Sequence, residues 1–135
     1  MFGRARSSYW SENYQEALDY LNKAIALHVD DSEYFYWRSK TFSKLENWNN
    51  ASADIKYADK LNPNDENIKS RKSQLSKRLI NKGYNYRKES DYEAAIKEFD
   101  SALVLTPGNS YLHFRKAKVL MDLFRYDEAI DGIKT

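Results

Sequence analysis

The residues of this chain that could do chemistry fall into two groups. One is the run "HVDDS", where His28, Asp30, Asp31 and Ser32 bring together the residue types used in nucleophilic catalysis. Neighbours along a loop do not make such a site, because nucleophile and base must meet in space at hydrogen-bond distance. The other histidine, His113, is expected on a packing face, and two distant histidines without any cysteine give no support to a metal site or a disulfide scaffold. The sequence also lacks a phosphate-binding loop and a glycine-rich dinucleotide fingerprint. No enzyme activity, cofactor or metal is expected.

The second group is cationic and aromatic. The segments "YFYWRSKTFSKL", "RLINKGYNYRK" and "YLHFRKAKVLMDL" interleave Tyr, Trp and Phe with Lys and Arg. Rings beside cations suit a partner that offers carboxylates together with apolar side chains, which is recognition chemistry rather than turnover.

Helices must position these groups. Of 135 residues 41% are apolar and 31% charged, enough for a packed core under a solvated surface, and only two prolines and four glycines interrupt the three- and four-residue spacing of Ala, Leu, Lys and Glu. The chain is therefore expected to be all-α. A net charge of +2 is too small to argue for nucleic acid on its own. No apolar run reaches the roughly 20 residues that span a bilayer, and "MFGRARSSYW" lacks the apolar core of a signal peptide. The reading is cytoplasmic, without membrane insertion.

The chain repeats itself. "NYQEALDYLNKAIALHV", "NWNNASADIKYADKLNP", "DYEAAIKEFDSALVLTP" and the shorter "RYDEAIDGI" place aromatics at Tyr14, Trp48, Tyr92 and Tyr126, each followed three residues on by Ala17, Ala51, Ala95 or Ala129. A second alanine follows at Ala24, Ala58 and Ala102, and Pro63 and Pro107 close two of the copies. Small residues seven apart share one helix face and let a neighbouring backbone approach. Upstream of the aromatics lie the cationic segments, with a small residue at Ser39, Gly83 or Ala117, so the unit reads as helix, turn, helix. Tyr14, Leu18, Leu21, Trp48, Ile55, Tyr92, Phe99 and Tyr126 stand at core spacing.

A spacing of 34 residues with this pattern resembles the tetratricopeptide repeat. The resemblance implies about four helix-turn-helix units in a right-handed superhelix, at approximately 1–31, 32–65, 76–109 and 110–135. Val29 stands where the repeat has its proline, and Asp59 where it has a leucine. Between the second and third aromatic the interval grows from 34 to 44. With Pro63 and Asn64 or Asp65 as a start and no breaker before Gly83, the extra residues predict an extended helix over 65–88, whose Ile68, Leu75 and Leu79 would cover the second repeat.

In this family the first helix of each pair lines a concave groove. The positions that point into it fall here on Phe2, Gly3, Arg6, Tyr9 and Trp10, on Glu33, Tyr36, Trp37, Lys40, Ser43 and Lys44, on Lys77, Ile80, Asn81, Tyr84, Arg87 and Lys88, and on Tyr111, Phe114, Arg115, Lys118, Met121 and Asp122. Cations outnumber acids there, while Glu16, Asp19, Asp54, Glu93, Glu98, Asp100, Asp127 and Asp131 collect on the second helices. The peptide-binding candidates are Tyr36, Trp37, Lys40, Lys44, Lys77, Asn81, Tyr84, Arg87, Lys88, Tyr111, Arg115 and Lys118. Chaperone-binding members clamp the terminal carboxylates of heat-shock chaperones with lysines, asparagines and an arginine. Of those places Asn81 and Arg115 agree, Lys40 stands for an asparagine, and Tyr36 and Tyr111 stand for the lysines. The resemblance implies a protein-interaction module binding an acidic or C-terminal peptide, such as a heat-shock chaperone C-terminus, as an adaptor or co-chaperone segment. The alternatives are a helical-repeat binder of single-stranded RNA, disfavoured by a pI near 8.6, and a structural scaffold segment.

Overall fold

In a computed structural model, which describes the backbone of residues 2–134 and the side chains of residues 2–127, the chain forms seven helices: α1 (Phe2–Trp10), α2 (Tyr14–Leu27), α3 (Ser32–Lys44), α4 (Trp48–Leu61), α5 (Glu66–Lys88), α6 (Tyr92–Leu105) and α7 (Ser110–Lys134). The described residues include no strand, and none of their helices is long and apolar enough to cross a membrane. They divide into two compact units, residues 1–74 and 75–135, with the division inside α5.

Three turns share one construction. Glu12, Glu46 and Ser90 adopt positive φ of 63°, 59° and 61°, and the next residue, Asn13, Asn47 or Asp91, opens a helix. The N–H of that residue reaches back to the carbonyl of Ser8, Phe42 or Tyr86 at 2.8, 2.8 and 2.9 Å, closing a Schellman-type end on the helix before. Asn47 and Asp91 then accept the N–H of Asn50 and Ala94 at 3.4 and 3.3 Å, whereas Asn13 donates its side-chain amide to Glu16 at 2.7 Å. Holding a non-glycine residue left-handed costs about 1 to 2 kcal/mol, so each turn depends on the capping and packing that follow it.

The fourth copy lacks this construction. Phe124 and Arg125 occupy the two turn positions, a bulky side chain where φ would have to be positive and a residue whose side chain has no acceptor where a cap is needed. With no glycine or proline from Ser110 to Asp131, α7 continues as one helix, and the expected helix-turn-helix at 110–135 does not form. Tyr126 is accordingly 53% exposed rather than core, and Ala117 is exposed. Ala129 and Asp131 lie outside the residues whose side chains are described.

The other connections use the opposite chemistry. Asp31 caps α3 through the N–H of Glu33 at 3.0 Å, Asp65 caps α5 through Asn67 and Ile68 at 2.9 and 3.1 Å, and Asn109 caps α7 through Leu112 at 3.1 Å. Pro63 and Pro107 stand just past the ends of α4 and α6, where a missing N–H costs nothing.

In unit 1 the core is Ala5, Tyr9, Ala17, Leu21, Ala24, Phe35, Ala51, Ile55, Ala58 and Ile68. The Ser39 hydroxyl donates to the Ala51 carbonyl at 2.7 Å, so the small residue of α3 meets the backbone of α4 directly. Asp59, at the place where the repeat has a leucine, pairs with Lys72 of α5 at 3.2 Å. In unit 2 Leu75, Leu79, Ala95, Phe99, Ala102, Leu105, Leu112 and Val119 are buried, and Gly83 lies against the Phe99 ring. Tyr14, Leu18, Trp48 and Tyr92, expected in the core, are half-buried at its margin.

One further expectation changes, and one acid is more deeply placed than the pattern says. Asp54, among the acids of the second helices, is 6% exposed and accepts a two-pronged contact from Arg38, at 2.7 and 2.8 Å. Burial pushes its carboxyl above the usual carboxylate range, and the hydrogen bonds and charge of Arg38 oppose the shift. His113 is exposed rather than packed, its Nε2 donating to the Pro107 carbonyl at 2.8 Å across the turn that starts α7.

Candidate functional site

Within unit 1, α1 and α3 converge their aromatic faces on one cation. The Lys40 ammonium lies 4.7 Å from the ring centre of Trp37, 5.4 Å from Tyr9, 5.5 Å from Tyr36 and 5.7 Å from Trp10. The spacing explains this: Tyr36, Trp37 and Lys40 stand on one turn of α3, while Tyr9 and Trp10 end α1 just before its turn. Trp37 also meets Tyr9 and Trp10 edge-on at 5.3 and 6.1 Å, so the rings hold one another in place.

The charges that act on Lys40 are both positive. Burial lowers the Lys40 pKa, and the like charges of Arg71 and Lys44 lower it further. Burial raises the phenols of Tyr9 and Tyr36, with Arg71 opposing both. Arg71, on the first half of α5, hydrogen-bonds the hydroxyl of Ser43, a groove position in the sequence reading. Beside the cluster an open pocket of about 550 Å³ is lined by Gly3, Arg6, Ser7, Trp10, Ser11 and Trp37. Trp10 is 69% exposed there, an unusual state for the largest side chain.

Within unit 2 a second cluster forms between α5 and α7. Arg115 Nε donates to the hydroxyl oxygens of Tyr111 and Tyr84 at 2.9 and 3.2 Å, and its guanidinium lies 5.3 and 5.0 Å from their ring centres. Tyr84 in turn donates its hydroxyl to Tyr111 at 3.4 Å. Tyr111 thus accepts twice, and those two hydrogen bonds hold its pKa below the ordinary phenol value; burial raises that of Tyr84, and donation to Tyr111 raises it further. The same hydrogen bonds raise the Arg115 pKa. Tyr84 is fixed from behind by an edge-on contact with buried Phe99 at 5.6 Å.

The chemical result is a set of donors. Tyr111 accepts from both Arg115 Nε and Tyr84, so its own hydroxyl proton is not used within the cluster. Among the described residues Arg115 has no carboxylate partner, in contrast to Arg38 with Asp54 and Arg87 with Asp122.

The candidate residues therefore separate. Tyr36, Trp37 and Lys40 come together in unit 1, and Tyr84, Tyr111 and Arg115 in unit 2. Lys44, Lys77, Asn81 and Lys88 are exposed, and Lys118 lies 5.5 Å from the centre of the Phe114 ring. Arg87 is engaged inside the chain, its Nε donating to Asp122 of α7 at 3.1 Å. Tyr9 and Trp10, outside the candidate list, join the Lys40 cluster because α1 meets α3, which sequence spacing alone does not show.

Residues 76–109 match the family model described as tetratricopeptide repeat. The chain is 30% identical over 105 residues to tetratricopeptide repeat protein 16 of Mus musculus, covering 78% of this chain and 13% of that one. It is 32% identical over 98 residues to the Protein SGT1 homolog of Bos taurus, covering 73% of this chain and 26% of that one. The chain thus spans about a quarter or less of the length of these relatives. Its fold is that of the Arabidopsis OM64 TPR domain, with a TM-score of 0.50 at 19% identity, covering 87% of this chain and 89% of that domain.

Proposed function

We propose that this chain, which carries a tetratricopeptide repeat at residues 76–109 and resembles a protein of such repeats over 78% of its length, is a non-enzymatic protein-interaction module of the cytoplasm. Its ligand is an acidic or C-terminal peptide segment, and its role that of an adaptor or co-chaperone segment.

One observation carries the reading: Arg115 is held through Nε by the hydroxyl oxygens of two tyrosines and has no acid partner among the described residues. A planar cation with two or three parallel donors fits a carboxylate. Asn81 and Lys118 extend the donor set, and Tyr84 and Phe114 offer rings to apolar side chains of the ligand. Lys40 and its rings, with Lys44, form a second cationic and aromatic surface in unit 1. Asn81 and Arg115 stand at clamp places of the chaperone-binding repeats, so a heat-shock chaperone C-terminus is the first ligand to try.

The experiment is a calorimetric titration of an acidic peptide with a free C-terminus into the wild type and Arg115→Ala. A charge-assisted hydrogen bond contributes about 1.5 to 3 kcal/mol, so the substitution should weaken binding by roughly ten- to a hundredfold. Equal affinities would remove Arg115 from the site and the reading with it.

A further inference from the structure

The two tyrosines that hold Arg115 are not equivalent. A phenol hydroxyl has one proton to donate and two lone pairs that accept. The Tyr84 hydroxyl accepts from Arg115 Nε at 3.2 Å and donates its proton to Tyr111 at 3.4 Å, whereas the Tyr111 hydroxyl accepts from both, its contact with Arg115 being 2.9 Å. Both acceptor places on Tyr111 are therefore filled, and its proton has no partner within the cluster. Exposure divides the pair in the same way. Tyr111 is 57% exposed, while Tyr84 is half-buried with its ring edge-on to Phe99.

We propose that Tyr111 donates its hydroxyl proton to the ligand carboxylate beside Arg115 while the Tyr84 hydroxyl only orients the two, so that the site selects against donor groups and releases its peptide when Tyr111 ionises. The assignment rests on the peptide reading above. A guanidinium has no acceptor and Tyr111 has none left, so a carboxylate, which only accepts, finds partners where an amide N–H or an ammonium finds none. The groups that act on Tyr111 are Tyr84 of α5 and Arg115 and Lys118 of α7. Asp100 of α6 and Asp122 of α7 are paired elsewhere, with Lys116 and Arg87. The hydrogen bonds from Tyr84 and Arg115, with the charges of Arg115 and Lys118, hold the Tyr111 pKa below the ordinary phenol value of about 10. Ionisation removes the donated proton and sets a negative charge against that of the ligand.

The test titrates an N-acetylated acidic peptide with a free C-terminus, free of lysine, histidine, tyrosine and cysteine, into the wild type, Tyr111→Phe and Tyr84→Phe from about pH 7 to about pH 10. Near pH ~7 Tyr111→Phe should weaken binding by roughly tenfold or more, the loss of one hydrogen bond to a charged group, and Tyr84→Phe by less. Wild-type affinity should fall as pH rises through the Tyr111 pKa. That fall should be absent from Tyr111→Phe and displaced to higher pH in Tyr84→Phe, which lacks the hydrogen bond that most lowers this pKa. Ionisation of Lys118 is common to all three proteins and cancels in the comparison. Both variants keep their rings, and Tyr111 is exposed, so the fold stays in place. Wild-type affinity in Tyr111→Phe, one pH profile shared by both proteins, or a larger loss in Tyr84→Phe than in Tyr111→Phe overturns the assignment. If Arg115→Ala weakens binding while Tyr111→Phe does not, the peptide reading stands without this role for Tyr111. If Arg115→Ala changes nothing, both fall.

Discussion

A Cβ at Gly83 would stand 2.6 Å from Cε1 of Phe99, inside any distance that real side chains tolerate. Phe99 is fully buried and cannot retreat. The absence of a side chain on α5 is therefore what lets α6 seat its largest core residue.

Gly83→Val should destabilise the protein by about 1 to 3 kcal/mol, since forcing groups into a filled core costs that much and the helix preference of valine over glycine returns only part of it. Gly3 provides the control, because nothing lies within 4 Å of its Cβ. Chemical denaturation should show a loss for Gly83→Val and none for Gly3→Ala.

Arg38→Ala should cost about 3 kcal/mol at neutral pH, because it leaves the buried Asp54 carboxylate without its partner. The pH dependence has a definite sign. The Asp54 pKa is raised in the folded state, so its contribution to stability is fully present below the unfolded value of about 3.9 and is lost as pH rises through the folded one. Removing Arg38 removes what opposed that shift. The deficit of Arg38→Ala relative to wild type should therefore shrink as the medium is acidified toward pH ~4.

Lys40 should lose its proton below the ordinary lysine value of about 10.4, because burial and the neighbouring Arg71 and Lys44 disfavour its charge. In this window a base with a lowered folded pKa stabilises the fold increasingly as pH rises toward the unfolded value. Nitrogen NMR of the Lys40 ammonium, titrated in the wild type and in Arg71→Met, should give a higher midpoint in the variant. An unchanged midpoint would mean that Arg71 does not act on it.

How far the sequence carried the structure depended on whether a feature was local. The turns before α2, α4 and α6 could be placed because Tyr14, Trp48 and Tyr92 recur three residues ahead of Ala17, Ala51 and Ala95, and the start of α5 because Asp65 comes just after Pro63, whereas the left-handed geometry of Glu12, Glu46 and Ser90 carries no glycine to announce it. The fourth turn was misjudged because Tyr126 and Ala129 fit the repeat while Phe124 and Arg125, one step upstream, do not fit its turn. Charge partners were the least legible. Arg87 and Arg115 look alike in a pattern of cations, yet Asp122 reaches one and two tyrosine hydroxyls hold the other. Asp54 stood in the sequence as one of several acids of the second helices, with nothing to mark Arg38 of the preceding helix as its partner.

The most direct test of peptide recognition compares one acidic peptide as free acid and as C-terminal amide, with single-stranded RNA of equal length alongside, at low and physiological salt. The free acid should bind tightest, amidation should weaken it by roughly tenfold or more through loss of a carboxylate facing Arg115 and Tyr111, and salt should weaken it only moderately. Equal binding of the two peptide forms would contradict a terminal-carboxylate site, and tighter binding of RNA with a steep salt dependence would contradict the peptide reading itself.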